Sequence, residues 1–97
     1  ISLKSFQLMK TVVTPHSIRN GHFDNGFGFA YSFFVLEDSS LDGTGSPTGI
    51  FGWSGYHNTH FWVDQSNDIY GLFMTRTTPF TWEIQKQFRA AVYGALR

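Results

Sequence analysis

The residue types with chemical reach in this chain crowd between Gly52 and Asp64. They are a serine within Gly52-Trp53-Ser54-Gly55, then Tyr56, His57, His60 and Asp64. A serine between glycines invites comparison with a nucleophile elbow. That motif needs Gly two residues after the serine and a strand–turn–helix setting. Tyr56 occupies that position and the segment lies between two predicted strands. The glycines therefore read as relief at a strand edge, where a ligand or another backbone approaches closely. His57 and His60 are three apart, which at the start of a strand places them on opposite faces. Asp64 alone stands near them, so no metal site is expected, and the histidines read as solvated or hydrogen-bonded loop residues. Asp64 closes Phe61-Trp62-Val63-Asp64 ahead of a polar turn and reads as a strand-end turn cap. The chain has no cysteine, which excludes a disulfide framework, an Fe–S cluster and a thiolate zinc site. No cofactor is expected.

Composition narrows the class further. The 97 residues suffice for a single unit. Only 14% are charged and 19% are aromatic, the reverse of a disordered segment. No apolar run approaches the roughly 18 residues of a membrane span. The net charge of zero hides an uneven distribution: +2 over residues 1–26, −5 over 27–75 and +3 over 76–97. From Asn20 to Thr75 there is no Lys or Arg, so the aromatic middle cannot neutralise phosphates and nucleic acid is not an expected partner. Thin charge and many rings suggest surfaces normally covered by something else.

Elements follow from periodicity. Leu3, Phe6 and Met9 predict a short helix over 2–10, capped by Ser2 and stopped by Thr14-Pro15. Residues 15–26 read as an Asn/Gly loop. Alternation predicts one long strand over 27–37, then a turn-rich loop over 37–49. Strands are predicted over 50–55, 59–64 and 69–76, the last two joined by a tight hairpin at Asp64–Asp68. Thr78-Pro79 opens a C-terminal helix, with Phe80, Ile84, Phe88, Ala91 and Ala95 as its apolar stripe and Lys86, Arg89 and Arg97 off it. The expected class is α+β: an antiparallel sheet of about four strands with an N-terminal helix and a C-terminal helix packed on it.

The stretch from Gly49 to Asp64, GIFGWSGYHNTHFWVD, resembles the C-terminal part of the serine β-lactamase-like superfamily. Its class C-like branch (class C β-lactamases, family VIII esterases and penicillin-binding-protein-like hydrolases) is the most similar. Ile69 to Arg76 is similar to the following strand of that branch, Ser2 to Met9 to a preceding helix, Gly26 to Phe29 to a strand opening, and Thr81 to Leu96 to the terminal helix. The resemblance implies a β-lactamase/transpeptidase-like fold of which residues 1–97 are the C-terminal part, with a periplasmic or secreted setting favoured. It also implies ester, amide or β-lactam hydrolysis through a Ser acyl-enzyme. Trp53, Ser54 and Gly55 would then be the third, substrate-binding motif, and the Tyr56 N–H an oxyanion donor. Ser54 is similar to the hydroxyl residue of the β-lactamase version of that motif, but Trp53 stands where that version has Lys. Losing the cation favours ester or peptide-like substrates over a β-lactam carboxylate.

None of the serines has a Lys three residues on, so the family's Ser-x-x-Lys nucleophile and base are absent from this sequence. Tyr56-His57-Asn58 matches Tyr-x-Asn, but by resemblance that motif belongs far upstream, and the match reads as coincidence. The isolated chain is therefore expected to be inactive. The implied partner is the N-terminal remainder of the parent fold, or a second copy exchanging strands. An alternative of another class is a free-standing, non-enzymatic α+β module that self-associates or binds a partner.

Overall fold

The structure, a computed structural model, describes residues 1–13 and 26–96. The helix stop at Thr14-Pro15 and, apart from Gly26, the loop read over 15–26 lie outside the described residues. Helix α1 spans Leu3–Met9, and the Ser2 hydroxyl caps it by accepting from the Ser5 N–H at 3.0 Å. Five strands follow: β1 Phe27–Phe29, β2 Phe34–Leu36, β3 Phe51–Ser54, β4 His60–Asp64 and β5 Ile69–Phe73. They form one antiparallel sheet in the order β1-β2-β3-β4-β5. A four-residue helix, α2 Ser39–Asp42, lies in the loop predicted after residue 37, and α3 spans Trp82–Ala95. The fold is α+β, as its sequence pattern implies.

Two boundaries differ for physical reasons. The single strand predicted over 27–37 is a hairpin, closed where the Ala30 N–H donates to the Phe33 carbonyl at 2.8 Å. Folding back pairs Phe27 with Leu36 and sets the Phe27 and Phe34 rings edge to face at 5.1 Å, a contact one straight strand cannot make. Helix α3 starts three residues after Thr78-Pro79, with Thr81 as its cap. Asn58 takes the preceding segment instead: its Nδ2 donates to the Thr77 and Pro79 carbonyls and its Oδ1 accepts from the Thr81 N–H.

Alternation in β3 to β5 divides the sheet into two faces. On one, Phe27, Phe34, Leu36, Ile50 and Trp62 pack with Tyr93, Phe88 and Val92 of α3. On the other, α1 supplies Phe6 to a smaller cluster around Ala30, Val35 and Phe51. Lys10 helps seat α1, its ammonium lying 5.2 and 5.6 Å from the Phe6 and Phe51 ring centres and bonding the Gln65 side chain. Phe88 of the expected α3 stripe packs on the core, but the C-terminal half of the stripe is rotated away from it. Ala91 and Ala95 are exposed, whereas Gln85, Arg89 and Tyr93 are buried. The sheet face beneath them carries buried His60 and Asp64, whose hydrogen-bonding capacity must be met, and an alanine cannot meet it.

Glycines admit the closest approaches within the sheet. A Cβ on Gly71 would collide with the Trp62 indole, and one on Gly52 with the backbone of Phe61. Gly71→Ala is expected to lower stability by roughly 1–3 kcal/mol through overpacking. Gly94→Ala, in the last turn of α3 where no described atom stands within 4 Å, should be neutral or stabilising by up to about 1 kcal/mol. Urea unfolding midpoints of the two variants check both.

Candidate functional site

The residues of chemical interest meet where β3 ends and β4 begins. Ser54 lies opposite His60, and Trp53 opposite Phe61. Strand alternation therefore splits the Trp53-Ser54-Gly55 motif between faces. Ser54 turns toward α3, whereas Trp53 lies on the opposite face and is 43% exposed. β3 is the central strand of the sheet, not an edge. However, β2 pairs with it only at Phe51 and Gly52, so Trp53 and Ser54 run past the end of that ladder. The turn after β3 is closed by the Gly55 N–H donating to Thr59 at 2.8 Å and the Asn58 N–H to Gly55 at 3.1 Å. Asn58 sits at φ +69°, a left-handed conformation that asparagine tolerates better than most residues. Tyr56 and His57 project from this turn into solvent, with Tyr56 74% exposed, while Asn58 is buried as the latch on residues 77–81. The Tyr56-His57-Asn58 triplet is thus divided between solvent and core. A shallow cleft of about 420 Å³ runs along the motif, lined by Trp53, Phe61, Leu72 and Met74 together with Ser54, Gly55, Thr59 and His60.

Beneath Ser54 a buried polar chain crosses the α3 face. The Ser54 hydroxyl stands 2.8 Å from His60 Nδ1 and 3.1 Å from Gln85 Oε1. His60 Nε2 is 3.1 Å from Arg89 Nη1, and Arg89 Nη2 donates to Asp42 at 2.8 Å in an ion pair whose side chains are 1% and 0% exposed. Asp42 is held in turn by the Thr44 hydroxyl, which contacts Ser46 Oγ at 2.6 Å. Arginine only donates, so Nε2 is the acceptor and His60 carries its proton on Nδ1. That proton points at Ser54, whose own hydrogen goes to Gln85. No lone pair is available to take the Ser54 proton, so this Ser–His pair is oriented against nucleophilic activation. Burial, then the charge of Arg89, lower the His60 pKa to about 3, against a smaller opposing effect of a backbone hydrogen bond at Trp53. His60 is therefore a neutral, buried strand residue, not the loop histidine expected from sequence.

A second buried cluster caps β4. Asp64 accepts from Ser66 Oγ at 2.7 Å, the Asn67 N–H at 3.1 Å and Asn67 Nδ2 at 2.7 Å, so it is the turn cap the sequence implied. It also accepts from Tyr93 Oη at 2.7 Å, and that hydroxyl accepts from the Trp62 indole at 2.9 Å. Burial alone would raise the Asp64 carboxyl, but bonds from Asn67, Tyr93 and Ser66 carry it below the ordinary value. Burial, and next the bond to Asp64, raise the Tyr93 phenol. Among the described residues no three His, Cys, Asp or Glu converge as metal ligands, and Gln85 Nε2 finds no hydrogen-bond partner.

Sequence reasoning did not find Asp42, Gln85, Arg89, Tyr93 or Asn58. For Arg89 the one available signal was a cation placed between apolar Phe88 and Val92. No protein-family model and no curated protein matches the chain. Among the described residues no helix is long and apolar enough to cross a membrane.

Two outcomes follow from this network. The native His60 pKa lies below its unfolded value of 6.5, so below pH 6.5 the unfolded chain binds the extra proton. Stability should then fall as pH drops from 6.5 toward 3, with a slope of up to about 1.4 kcal/mol per pH unit. Asp64, with its lowered native pKa, adds loss only around and below its ordinary value of 3.8. Urea midpoints between pH 4.5 and 8 measure the slope, and His60→Gln should flatten it. Asp42→Ala, which strands a buried guanidinium, is expected to lower stability by roughly 3–5 kcal/mol at pH 7 in the same assay.

Proposed function

We propose that this chain is the C-terminal part of a β-lactamase-like serine hydrolase. The parent would cleave an ester, amide or β-lactam through a Ser acyl-enzyme. Here Trp53, Ser54 and Gly55 form one wall of the substrate cleft, and the Tyr56 N–H stands as an oxyanion donor. The observation that carries this reading is the backbone of β3 beyond Gly52. It outruns its β2 partner beside an apolar cleft, a setting in which an extended substrate can bond to strand backbone. Ser54 acts as a fixed hydroxyl held by His60 and Gln85, and the nucleophile comes from outside these 97 residues. With an indole at position 53 and no cation among the described residues that line the cleft, ester or peptide-like substrates fit better than an anionic β-lactam.

The sheet face opposite α3 supports membership in a larger fold. α1 covers it around Phe51, but Phe61, Tyr70, Leu72 and Met74 remain exposed, Tyr70 by 77%. The same uncovered face favours the second reading, a non-enzymatic module that pairs with its own copy through this surface. The 97-residue chain should show no turnover of p-nitrophenyl acetate above buffer and no labelling by a fluorophosphonate. A longer chain from the same coding sequence should be labelled on a Ser-x-x-Lys serine. Saturable hydrolysis by the short chain would sink the proposal. An upstream sequence without Ser-x-x-Lys, together with a concentration-dependent dimer in sedimentation, would establish the module instead.

A further inference from the structure

A second cavity, of about 250 Å³, lies at the end of the sheet where β3 runs past β2, and is lined by Phe29, Trp53, Ser54, Phe80 and Trp82. We propose that it binds a small uncharged aromatic group bearing a hydrogen-bond donor, of the phenol or indole class. The ring lies among the four aromatic side chains and its donor rests on Ser54 Oγ. The proposal does not depend on the hydrolase reading, because it requires no nucleophile.

The walls are two ring pairs from different parts of the chain. Phe29 of β1 and Trp53 of β3 meet at 5.3 Å at the end of the sheet where β2 begins at Phe34. Phe80 and Trp82, at the entry to α3, meet edge to face at 4.8 Å and 84°. Asn58 fixes the second pair relative to the first through its bonds to Thr77, Pro79 and Thr81. All four rings retain some exposure, so a guest can reach them. The volume falls below the roughly 300–1,000 Å³ of drug-sized sites, so the guest is about one ring system.

Charge selects the guest. Among the described residues no charged side chain lines the cavity, so an ion entering it would lose water without gaining a partner from them. A cation would also face the positive end of the α3 dipole, because Trp82 is the first residue of that helix. An anion would find two first-turn donors already used: the Thr81 N–H by Asn58 at 2.8 Å and the Glu83 N–H by Thr81 Oγ1 at 3.2 Å. Ser54 selects further. Its hydrogen goes to Gln85 and one lone pair receives His60, which leaves a single acceptor position and no free donor. The guest must therefore donate.

The three tryptophans provide the test. The 97-residue protein, with its indole N–H groups followed by NMR, is titrated with phenol, its methyl ether anisole, benzoate and benzyltrimethylammonium. Phenol is expected to shift the Trp53 and Trp82 signals saturably. Trp62, fully buried and bonded to Tyr93, should stay still. Anisole should bind at least fivefold more weakly and neither ion should saturate. Ser54→Ala should erase the difference between phenol and anisole, and Trp82→Leu should abolish binding. Absence of a saturable shift, equal affinity for phenol and anisole, or an ion matching phenol would each overturn the proposal. These comparisons use the unmodified protein, so they hold even if a variant fails to fold.

Discussion

The buried Arg89–Asp42 ion pair is the constraint from which most of the remaining geometry follows. It ties the middle of α3 to the end of α2, forty-seven residues earlier, through side chains that water does not reach. Burying both charges is expensive, and the offset is geometric. The guanidinium also serves His60 and lies 5.2 Å from the Phe27 ring centre, so one side chain contacts α2, β4 and β1 together. Such a group admits few alternatives. It sets the rotation of α3 on the sheet, it explains why the four residues Ser39–Asp42 coil where a plain loop was expected, and it fixes the tautomer of His60.

That tautomer carries the constraint to the motif. With Nε2 committed to arginine, the imidazole keeps its one proton on Nδ1, toward Ser54 and the Trp53 backbone, and the serine donates toward Gln85. The hydroxyl at the heart of the motif is therefore held in a single orientation and left as an acceptor. A serine beside a histidine looks like a dyad in sequence. The direction of its hydrogen bonds makes it a fixture, because the proton occupies the site a base would need to keep vacant.

The two sheet faces are unequally finished. Against α3, apolar residues and two buried polar clusters fill the layer. Against α1, among the described residues, cover extends over the β2–β3 end and Val63 of β4, while Phe61 of β4 and the outward residues of β5 are left to solvent. Tyr70, Leu72 and Met74 alternate on one face at the edge of the sheet without a Lys or Pro among residues 69–74 to discourage pairing. An edge of this kind is compatible with further strands of a larger hydrolase fold or with a copy of the same chain. Among the described residues the core of the finished face draws on β1, β2, β4, β5 and α3, with Ile50 just before β3, and Asp42 of α2 joins it through Arg89.

Local pattern was enough for the elements and their class. The two-residue period of β4, the Asp64 turn cap and the Ser2 helix cap are all settled by neighbours a few residues away, and they were legible. The division of residues 27–37 into a hairpin was not, because Phe27 and Phe34 choose each other across the fold and not along the chain. The inward face of α3 was misread for the same reason. Hydrophobicity pointed to Ala91 and Ala95, whereas the buried acceptors of β4 and α2 demanded Arg89 and Tyr93. The sequence by itself determined the α+β class, most of the helix and strand segments, and which residue types the chain does not carry. Only the tertiary structure decided where the polar side chains are buried, because a charge or hydroxyl can leave water only when a partner from a distant segment is already in place.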